Sequence, residues 1–169
     1  MQSVVVYGTI PQRKRGIGMI KILFICLGNI CRSPMAEFVM KELVRKKGRS
    51  KDFVIASCAT SREEIGNDIH RGTRRMLDAM NIPYTPREAV QLTRGDYDKW
   101  DLLIAMDTSN VQNIHRITGG DPQNKVHLLL EYTGENRSIA DPWYTGNFEL
   151  TYEEVLRGCK ALYAALKND

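Results

Sequence analysis

Hydrophobic positions along the chain alternate between short unbroken apolar runs and longer amphipathic stretches. Four apolar runs predict strands at residues 20–25, 53–57, 102–106 and 126–130. Apolar residues spaced three and four apart predict helices after the first run, at residues 73–80, at 109–117 and at the C-terminal end. This alternation is typical of a parallel sheet covered by helices. We therefore expect an α/β protein, a single-domain three-layer α/β/α fold with a central four-stranded parallel sheet.

Residues with strong positional preferences mark the expected helix ends. Ser33 and Pro34 are typical of an N-cap followed by a proline at the first helical position, and Gly48 is a typical C-terminal stop. Thr151 and Glu154 have the spacing of a capping box, which predicts that the last helix begins at Thr151.

Composition limits the classes of function. The chain has 169 residues, of which 43% are hydrophobic and 26% charged, which suits one ordinary domain. It has no run of about 20 apolar residues, so we expect no membrane partner. The net charge of +4 is small and comes largely from two local clusters, so we expect no nucleic-acid partner. We favour a monomer.

The cysteine pattern gives no sign of a disulfide framework or a metal centre. The chain has four cysteines without a Cys-x-x-Cys pair, and its three histidines are scattered away from them. We therefore expect no metal and no cofactor. Without a secretory signal pattern, reduced thiols and a cytoplasmic location are the simpler interpretation.

The first 18 residues differ from the rest of the chain. A short apolar run precedes a basic triplet, the reverse of the order in a signal peptide, and Gly8, Pro11, Gly16 and Gly18 oppose an amphipathic targeting helix. We expect residues 1–18 to be a disordered extension and residues 19–169 to be the domain.

One segment carries the chemical argument, residues 26–33 with the sequence CLGNICRS. It lies between the first strand and the first helix, where ligands bind in parallel α/β sheets. Gly28 and Asn29 tolerate positive φ, so the loop can turn successive N–H groups inward and form a nest for a phosphate-sized anion. Arg32 would clamp the anion, and the same positive surroundings would stabilise a Cys26 thiolate able to attack phosphorus.

A structural interpretation of the same segment is that Cys26 is a small buried residue at a strand end and Arg32 a surface charge. A bare Cys-x5-Arg pattern occurs by chance often enough to allow it. The strand before the loop, the glycine within it and the helix start after it favour the catalytic interpretation.

The segment resembles the phosphate-binding loop of low-molecular-weight protein-tyrosine phosphatases. The signature runs over residues 26–37, CLGNICRSPMAE, and is specific. Matching segments at residues 59–61, 106–110 and 141–143 extend the resemblance from about Met19 to the end of the chain. It implies a phosphatase of phosphotyrosine-containing proteins that works through a cysteinyl-phosphate intermediate.

The resemblance also implies roles for individual residues. Cys26 is the expected nucleophile, Arg32 the phosphoryl-binding residue and Asp141 the general acid and base. Ser33 is expected to hydrogen-bond to the thiolate and Asn29 to brace the loop. The other expected substrate-binding residues belong to the loop or to the aromatic pocket wall: Leu27, Gly28, Ile30, Cys31, Trp143 and Tyr144.

Several roles stay open at the level of sequence. The resemblance implies that Cys31 can form a reversible disulfide with Cys26, but a buried small apolar residue is an equal alternative. Asp141-Pro142 taken alone is only a turn signal, and an aromatic pair beside a turn often serves packing. Asp107 is expected to have a supporting role only.

The chain departs from the pattern of the family at the pocket rim and behind the loop. Residues 62–64, Arg-Glu-Glu, stand where many members carry an aromatic or acidic residue. Arg87 stands where a loop-bracing histidine is frequent, and Val90 where an arginine is frequent. These changes leave loop support and substrate preference open.

Three rival functions are less consistent with the sequence. Arsenate reductases of this fold need a further cysteine pair in the middle of the chain, and none lies between Cys58 and Cys159. Phosphoarginine phosphatases carry a threonine at the position of Ile30. A silent phosphopeptide-binding module would lack the nucleophile or the acid, whereas Cys26 and Asp141 are both present.

Overall fold

The computed structural model describes residues 18–167, which form four strands and six helices. Their bounds are β1 (Ile20–Cys26), α1 (Arg32–Lys46), β2 (Phe53–Ala59), α2 (Arg71–Ala79), α3 (Asp96–Lys99), β3 (Leu102–Ala105), α4 (Thr108–Thr118), β4 (Val126–Leu128), α5 (Pro142–Thr145) and α6 (Phe148–Lys167). Short 3-10 turns lie at Ser50–Asp52 and Leu129–Thr133. The expected N-terminal extension lies outside the described residues, apart from Gly18.

The four strands form one parallel sheet in the order β2-β1-β3-β4. Cys26, the last residue of β1, pairs with Ala59, the last residue of β2. The chain passes from β1 to a neighbour on one side and then returns to β3 on the other, so the strand order reverses next to β1. Cys26 therefore lies at the topological switch point, where sheets of this kind bind ligands.

Helices cover both faces of the sheet because alternate residues of β1 point to opposite sides. Ile22 and Phe24 belong to a core with α1, α2 and α6, and Leu23 and Ile25 to a second core with α3 and α4. The four side chains are at most 3% exposed. The predicted three-layer α/β/α arrangement is confirmed, and it fixes the end of β1 between two packed layers.

Two predicted helix starts are wrong. Helix α1 begins at Arg32, and Cys31 occupies the N-cap position without a side-chain hydrogen bond, so Ser33 lies inside the first turn. Helix α6 begins at Phe148, where the Asn147 side chain accepts from the Leu150 N–H at 3.0 Å. Thr151 is buried within α6 and donates to the Asn147 carbonyl at 3.2 Å. Ser33 and Thr151 therefore make interactions other than capping.

The fourth strand is shorter than the apolar run that predicts it. Strand β4 ends at Leu128, and the chain turns into a 3-10 segment that buries Leu129 and Leu130. Both leucines are in the core shared with α6, so their hydrophobicity reflects contact with that helix and not sheet pairing. Within residues 18–167, no helix is both long and apolar enough to cross a membrane.

Candidate active site

The loop between β1 and α1 is held in place by its own backbone and by the segment after β2. Asn29 adopts the left-handed conformation, with φ of 59°, and its N–H lies 3.2 Å from Cys26 Sγ. The carbonyls of Cys26, Leu27 and Ile30 accept from the N–H groups of Thr60, Ser61 and His70 at 2.9 to 3.0 Å. The thiol therefore lies inside a curved loop that opens into the N-terminus of α1.

A buried hydrogen-bond network lies beneath the thiol. Ser33 Oγ is 3.1 Å from Cys26 Sγ and accepts from the Asn29 amide at 2.8 Å. The same amide donates to Ser57 Oγ at 2.9 Å, and Ser57 donates to Glu37 Oε1 at 2.6 Å. Asn29 and Ser33 are fully buried, so both brace the loop from below and do not line the pocket.

Arg32 is anchored from two directions. It is 2% exposed, and its Nη1 donates to Asp107 Oδ2 at 2.7 Å and to the Ile139 carbonyl at 2.9 Å. Its Nη2 lies 3.3 Å from Asp141 Oδ2. Burial opposes the charged form, but the negative groups of Cys26, Asp141 and Asp107 outweigh it and raise the pKa of Arg32. The guanidinium is thus a fixed positive charge.

Asp107 and Asp141 each anchor a helix start while facing Arg32. Asp107 caps α4, where its Oδ1 accepts from the Asn110 N–H at 2.7 Å. Asp141 caps α5, where its Oδ1 accepts from the Trp143 N–H at 3.1 Å. Pro142 is the first residue of α5, so the Asp-Pro pair is an N-cap followed by an N1 proline. The second oxygen of each carboxylate, Oδ2, contacts the Arg32 guanidinium.

The pocket brings together most of the residues that the sequence predicts. Its wall is formed by Cys26, Leu27, Gly28, Ile30, Cys31, Glu63, Glu64, Asp141, Trp143 and Tyr144. Trp143 and Tyr144 are 56% and 76% exposed, so they stand at the open side. Glu63 and Glu64, from the segment where the chain departs from the pattern of the family, add negative charge to the lining of the pocket.

The departures at Arg87 and Val90 do not remove the support of the loop. The Val90 N–H donates to Asn29 Oδ1 at 3.2 Å, a backbone contact that does not depend on the valine side chain. Burial lowers the pKa of Arg87, while the nearby charge of Glu37 opposes the shift. Arg87 therefore places a positive group near the Glu37 end of the network beneath the loop.

The four cysteines are free thiols, and all are buried. Burial raises the pKa of Cys31, and the neighbouring Cys26 and Asp141 raise it further. Burial likewise raises the pKa of Cys58 and Cys159, which lie in β2 and α6 as buried residues. A disulfide between Cys31 and Cys26 stays a prediction.

Some residues of the site give no clear signal in the sequence. Glu37 lies within the signature and Ser57 near the end of a predicted strand, but neither pattern indicates that the two are hydrogen-bonded. His70, which contacts Trp143, and Phe148, on which His70 stacks, belong to no recognisable motif. Among residues 18–167, no cluster of histidine, cysteine and acidic side chains could hold a metal ion.

A parallel α/β domain with a cysteine and an aspartate in one pocket, and a buried arginine bound to that aspartate, is typical of cysteine-dependent phosphatases. A sequence model of the family described as low molecular weight phosphotyrosine protein phosphatase matches residues 21–169. The chain belongs to this family.

Relatives and solved structures agree with this assignment. The chain is 40% identical over 152 residues to the low molecular weight protein-tyrosine-phosphatase PtpA of Staphylococcus epidermidis, covering 89% of this chain and 96% of that protein. The crystal structure of YfkJ from Bacillus subtilis has a TM-score of 0.86 and 37% identity, covering 92% of this chain and 98% of that one. The Drosophila arginine phosphatase DARP has a TM-score of 0.82 and 27% identity, with coverage of 89% and 99%.

Proposed function

We propose that the protein hydrolyses phosphotyrosine in proteins, and other aryl phosphates, through a cysteinyl-phosphate intermediate. The observation that carries the proposal is that Cys26 and Asp141 line one pocket, and that the buried Arg32 lies directly behind Asp141, with its Nη2 3.3 Å from Asp141 Oδ2. The loop around Cys26, followed by the N-terminus of α1, suits a phosphoryl group.

In the first step, the Cys26 thiolate attacks phosphorus in line with the phenolic oxygen. The S–P bond forms, the P–O bond breaks, and Asp141 transfers its proton to the departing phenolate. Arg32 balances the charge of the equatorial phosphoryl oxygens, and its buried position means that little reorganisation is needed.

In the second step, water hydrolyses the cysteinyl phosphate. Asp141 is now a carboxylate and accepts a proton from the water as its oxygen attacks phosphorus. The S–P bond breaks, inorganic phosphate leaves and the Cys26 thiolate returns. Ser33 Oγ, at 3.1 Å from the sulfur, is placed to donate to that thiolate.

The walls of the pocket support an aryl substrate. Leu27 and Ile30 provide apolar surface on the loop, and Trp143 and Tyr144 provide ring faces at the open side. PtpA of Staphylococcus epidermidis is named a protein-tyrosine-phosphatase, and DARP is an arginine phosphatase of the same fold. Ile30, in place of the threonine expected in phosphoarginine phosphatases, favours phosphotyrosine here.

Trapping of the phosphoenzyme tests the proposal. Purified protein is mixed with a radiolabelled phosphotyrosine peptide and quenched in acid, and phosphate release is followed in parallel. We expect label on the wild type and on Cys159→Ala, whose thiol is buried in α6, and neither label nor turnover with Cys26→Ser. Turnover by a folded Cys26→Ser protein would exclude the covalent route. Faster turnover of a phosphoarginine peptide than of phosphotyrosine would overturn the substrate assignment.

A further inference from the structure

His70 lies between the phosphate-binding loop and the segment that carries Asp141. Its backbone N–H donates to the Ile30 carbonyl of the loop at 2.9 Å. Its imidazole ring is stacked on Phe148, with centroids 5.1 Å apart and an interplanar angle of 12°. The same ring meets Trp143 edge to face at 5.6 Å and 76°. One side chain thus contacts both the start of α6 and the wall of the pocket.

We propose that His70 is a positioning residue that sets the orientation of Trp143 and, through it, the pocket wall beside Asp141. The inference deepens the proposed function and rests on it, since the wall matters only if an aryl phosphate binds there. His70 itself touches no reacting atom.

The surroundings of Trp143 support this role. Trp143 is 56% exposed, so the contact of its indole with the His70 imidazole is one of few that can hold it. The backbone N–H of Trp143 also donates to Asp141 Oδ1 at 3.1 Å. A displaced Trp143 would therefore disturb both the aromatic wall and the cap that orients the carboxylate.

The Phe148 ring on which the His70 imidazole stacks is itself tightly packed. Phe148, on which His70 stacks, packs against the backbone of Gly72 in α2. A Cβ atom at Gly72 would lie 2.5 Å from Phe148 Cζ, so any larger residue there would push the ring away. The stack of Phe148, His70 and Trp143 thus depends on a glycine at this position.

His70 also has a helix-capping role that depends on its protonation state. Its Nδ1 accepts from the Gly72 N–H at 3.0 Å, which requires an unprotonated Nδ1. Burial lowers the pKa of His70, and Arg71 and Arg74 lower it further, while Glu64 opposes them. In acid, protonation would remove the acceptor and add a cation beside two arginines, and we expect the contact with Trp143 to weaken.

Two substitutions separate the ring contact from the cap. His70→Asn keeps a side-chain acceptor for the Gly72 N–H but removes the ring, so Tm should stay close to that of the wild type. Its kcat/KM for aryl phosphates should fall roughly 2- to 10-fold, as expected from loss of one aromatic pair. His70→Phe keeps a ring but removes the acceptor, so it should recover most of this activity while Tm falls by about 2–4 °C.

Fluorescence of Trp143 gives a readout that is independent of activity. The chain has two tryptophans, and Trp100→Phe leaves Trp143 as the single emitter. In this background, emission should change as the pH falls below 6.5, because the lowered pKa of His70 delays its protonation to more acidic conditions. The change should be absent in Trp100→Phe/His70→Asn, which keeps every other acidic and basic side chain around Trp143.

The outcomes distinguish this proposal from the proposed function. The positioning role is supported if His70→Asn abolishes the pH dependence of the emission and lowers kcat/KM without lowering Tm, while His70→Phe lowers Tm and largely restores kcat/KM. Unchanged kcat/KM in His70→Asn, or an emission titration that survives the substitution, would overturn it. If the wild type showed no phosphatase activity, the proposed function would fail, and the emission titration would still report whether His70 contacts Trp143.

Discussion

Ser33 Oγ lies 3.1 Å from Cys26 Sγ because Ser33 occupies the first turn of α1 and not its N-cap position. Its hydroxyl oxygen already accepts from the Asn29 amide at 2.8 Å. The neutral Cys26 thiol also donates to this oxygen, so the hydroxyl proton is donated to the Cys58 carbonyl at 3.4 Å. Ionisation of the thiol would make the sulfur the better acceptor.

Replacement of Ser33 by alanine should slow turnover by about 10- to 100-fold, the size of a hydrogen bond to a charged group. The largest effect is expected on hydrolysis of the intermediate, where the Cys26 thiolate is the leaving group. Stopped-flow release of p-nitrophenol should then show a burst followed by a slower steady state. Ser50→Ala, at the opposite end of the sheet, is the matched control. Equal slowing of the burst and the steady state would contradict a role in thiolate departure.

The negative rim should reduce affinity for small dianionic substrates. The Glu64 carboxylate is held by the amide of Asn67 at 2.6 Å, not by a cation, and both Glu64 and Glu63 line the pocket. In a water-like dielectric, a unit charge on the order of 8 Å from a phosphoryl group of charge −2 costs about 1 kcal/mol, so each carboxylate should weaken binding about 6-fold. The double variant Glu63→Gln/Glu64→Gln should therefore raise kcat/KM for p-nitrophenyl phosphate by at least about 10-fold at low ionic strength.

Salt supplies the check on this prediction. The gain should shrink as ionic strength rises, since exposed charges are screened over about 8–10 Å. Glu153→Gln, on the exposed side of α6, changes the net charge by one unit without touching the pocket. A similar gain from Glu153→Gln would assign the effect to overall charge and not to the rim.

His127 should make the stability of the fold dependent on pH. Its Nε2 lies 2.9 Å from the Asn124 carbonyl and its Nδ1 lies 3.3 Å from Glu131 Oε2, so both ring nitrogens face acceptors. Only the doubly protonated ring donates to both. Burial lowers the pKa of His127, but the bonds to Glu131 and Asn124 outweigh it and raise the pKa above 6.5. The contact with His127 correspondingly lowers the pKa of Glu131, against the effect of burial.

The stability from this pair should be greatest between about pH 4.5 and 6.5, the unperturbed values of the two groups. The histidine contribution is complete below 6.5 and is lost as pH rises through its raised value. The glutamate contribution is present above 4.5 and is lost as pH falls through its lowered value. Glu131→Gln should lower Tm by about 2–4 °C near pH 5.5, equivalent to about 1 kcal/mol, and by less at pH 8.5. A difference independent of pH, measured by circular dichroism, would contradict this.

The fold was predictable because buried parallel strands appear as unbroken apolar runs, and the interval between them fits helices. Leu102–Ala105 is such a run and forms β3. The errors occurred where one residue type serves two purposes. Leu129 and Leu130 extend an apolar run yet pack on α6, and Thr151 has the spacing of a cap yet is buried inside a helix. Tertiary contacts, not local preferences, decide these cases.

The site was predictable only as far as local spacing determines it. The loop from Cys26 to Arg32 is contiguous, so its geometry follows from a strand end, a left-handed Asn29 and a helix start. Arg32, by contrast, binds Asp107 and Asp141, which are separated from it in sequence by 75 and 109 positions. Whether these side chains meet depends on how whole loops pack. The contact of His70 with Trp143 depends on tertiary packing in the same way.

Replacement of Asp141 by asparagine tests proton transfer separately from binding. Asparagine keeps a side-chain oxygen that can cap α5 at Trp143, but it cannot deliver a proton. Phosphotyrosine has a poor leaving group and should lose about 10²- to 10⁴-fold in kcat, the usual contribution of general acid catalysis. The leaving group of p-nitrophenyl phosphate, p-nitrophenolate, is already stable as an anion, so the first step of this substrate should be affected much less, as measured by the burst of p-nitrophenol. Asp107→Asn is the matched comparison because Asp107 also contacts Arg32 at 2.7 Å and also caps a helix. It should impair both substrates alike, since it would loosen Arg32 without removing the acid.

If Asp141→Asn slowed the two substrates equally, Asp141 would serve only to hold Arg32. If Asp107→Asn alone discriminated by leaving group, Asp107 would be the acid.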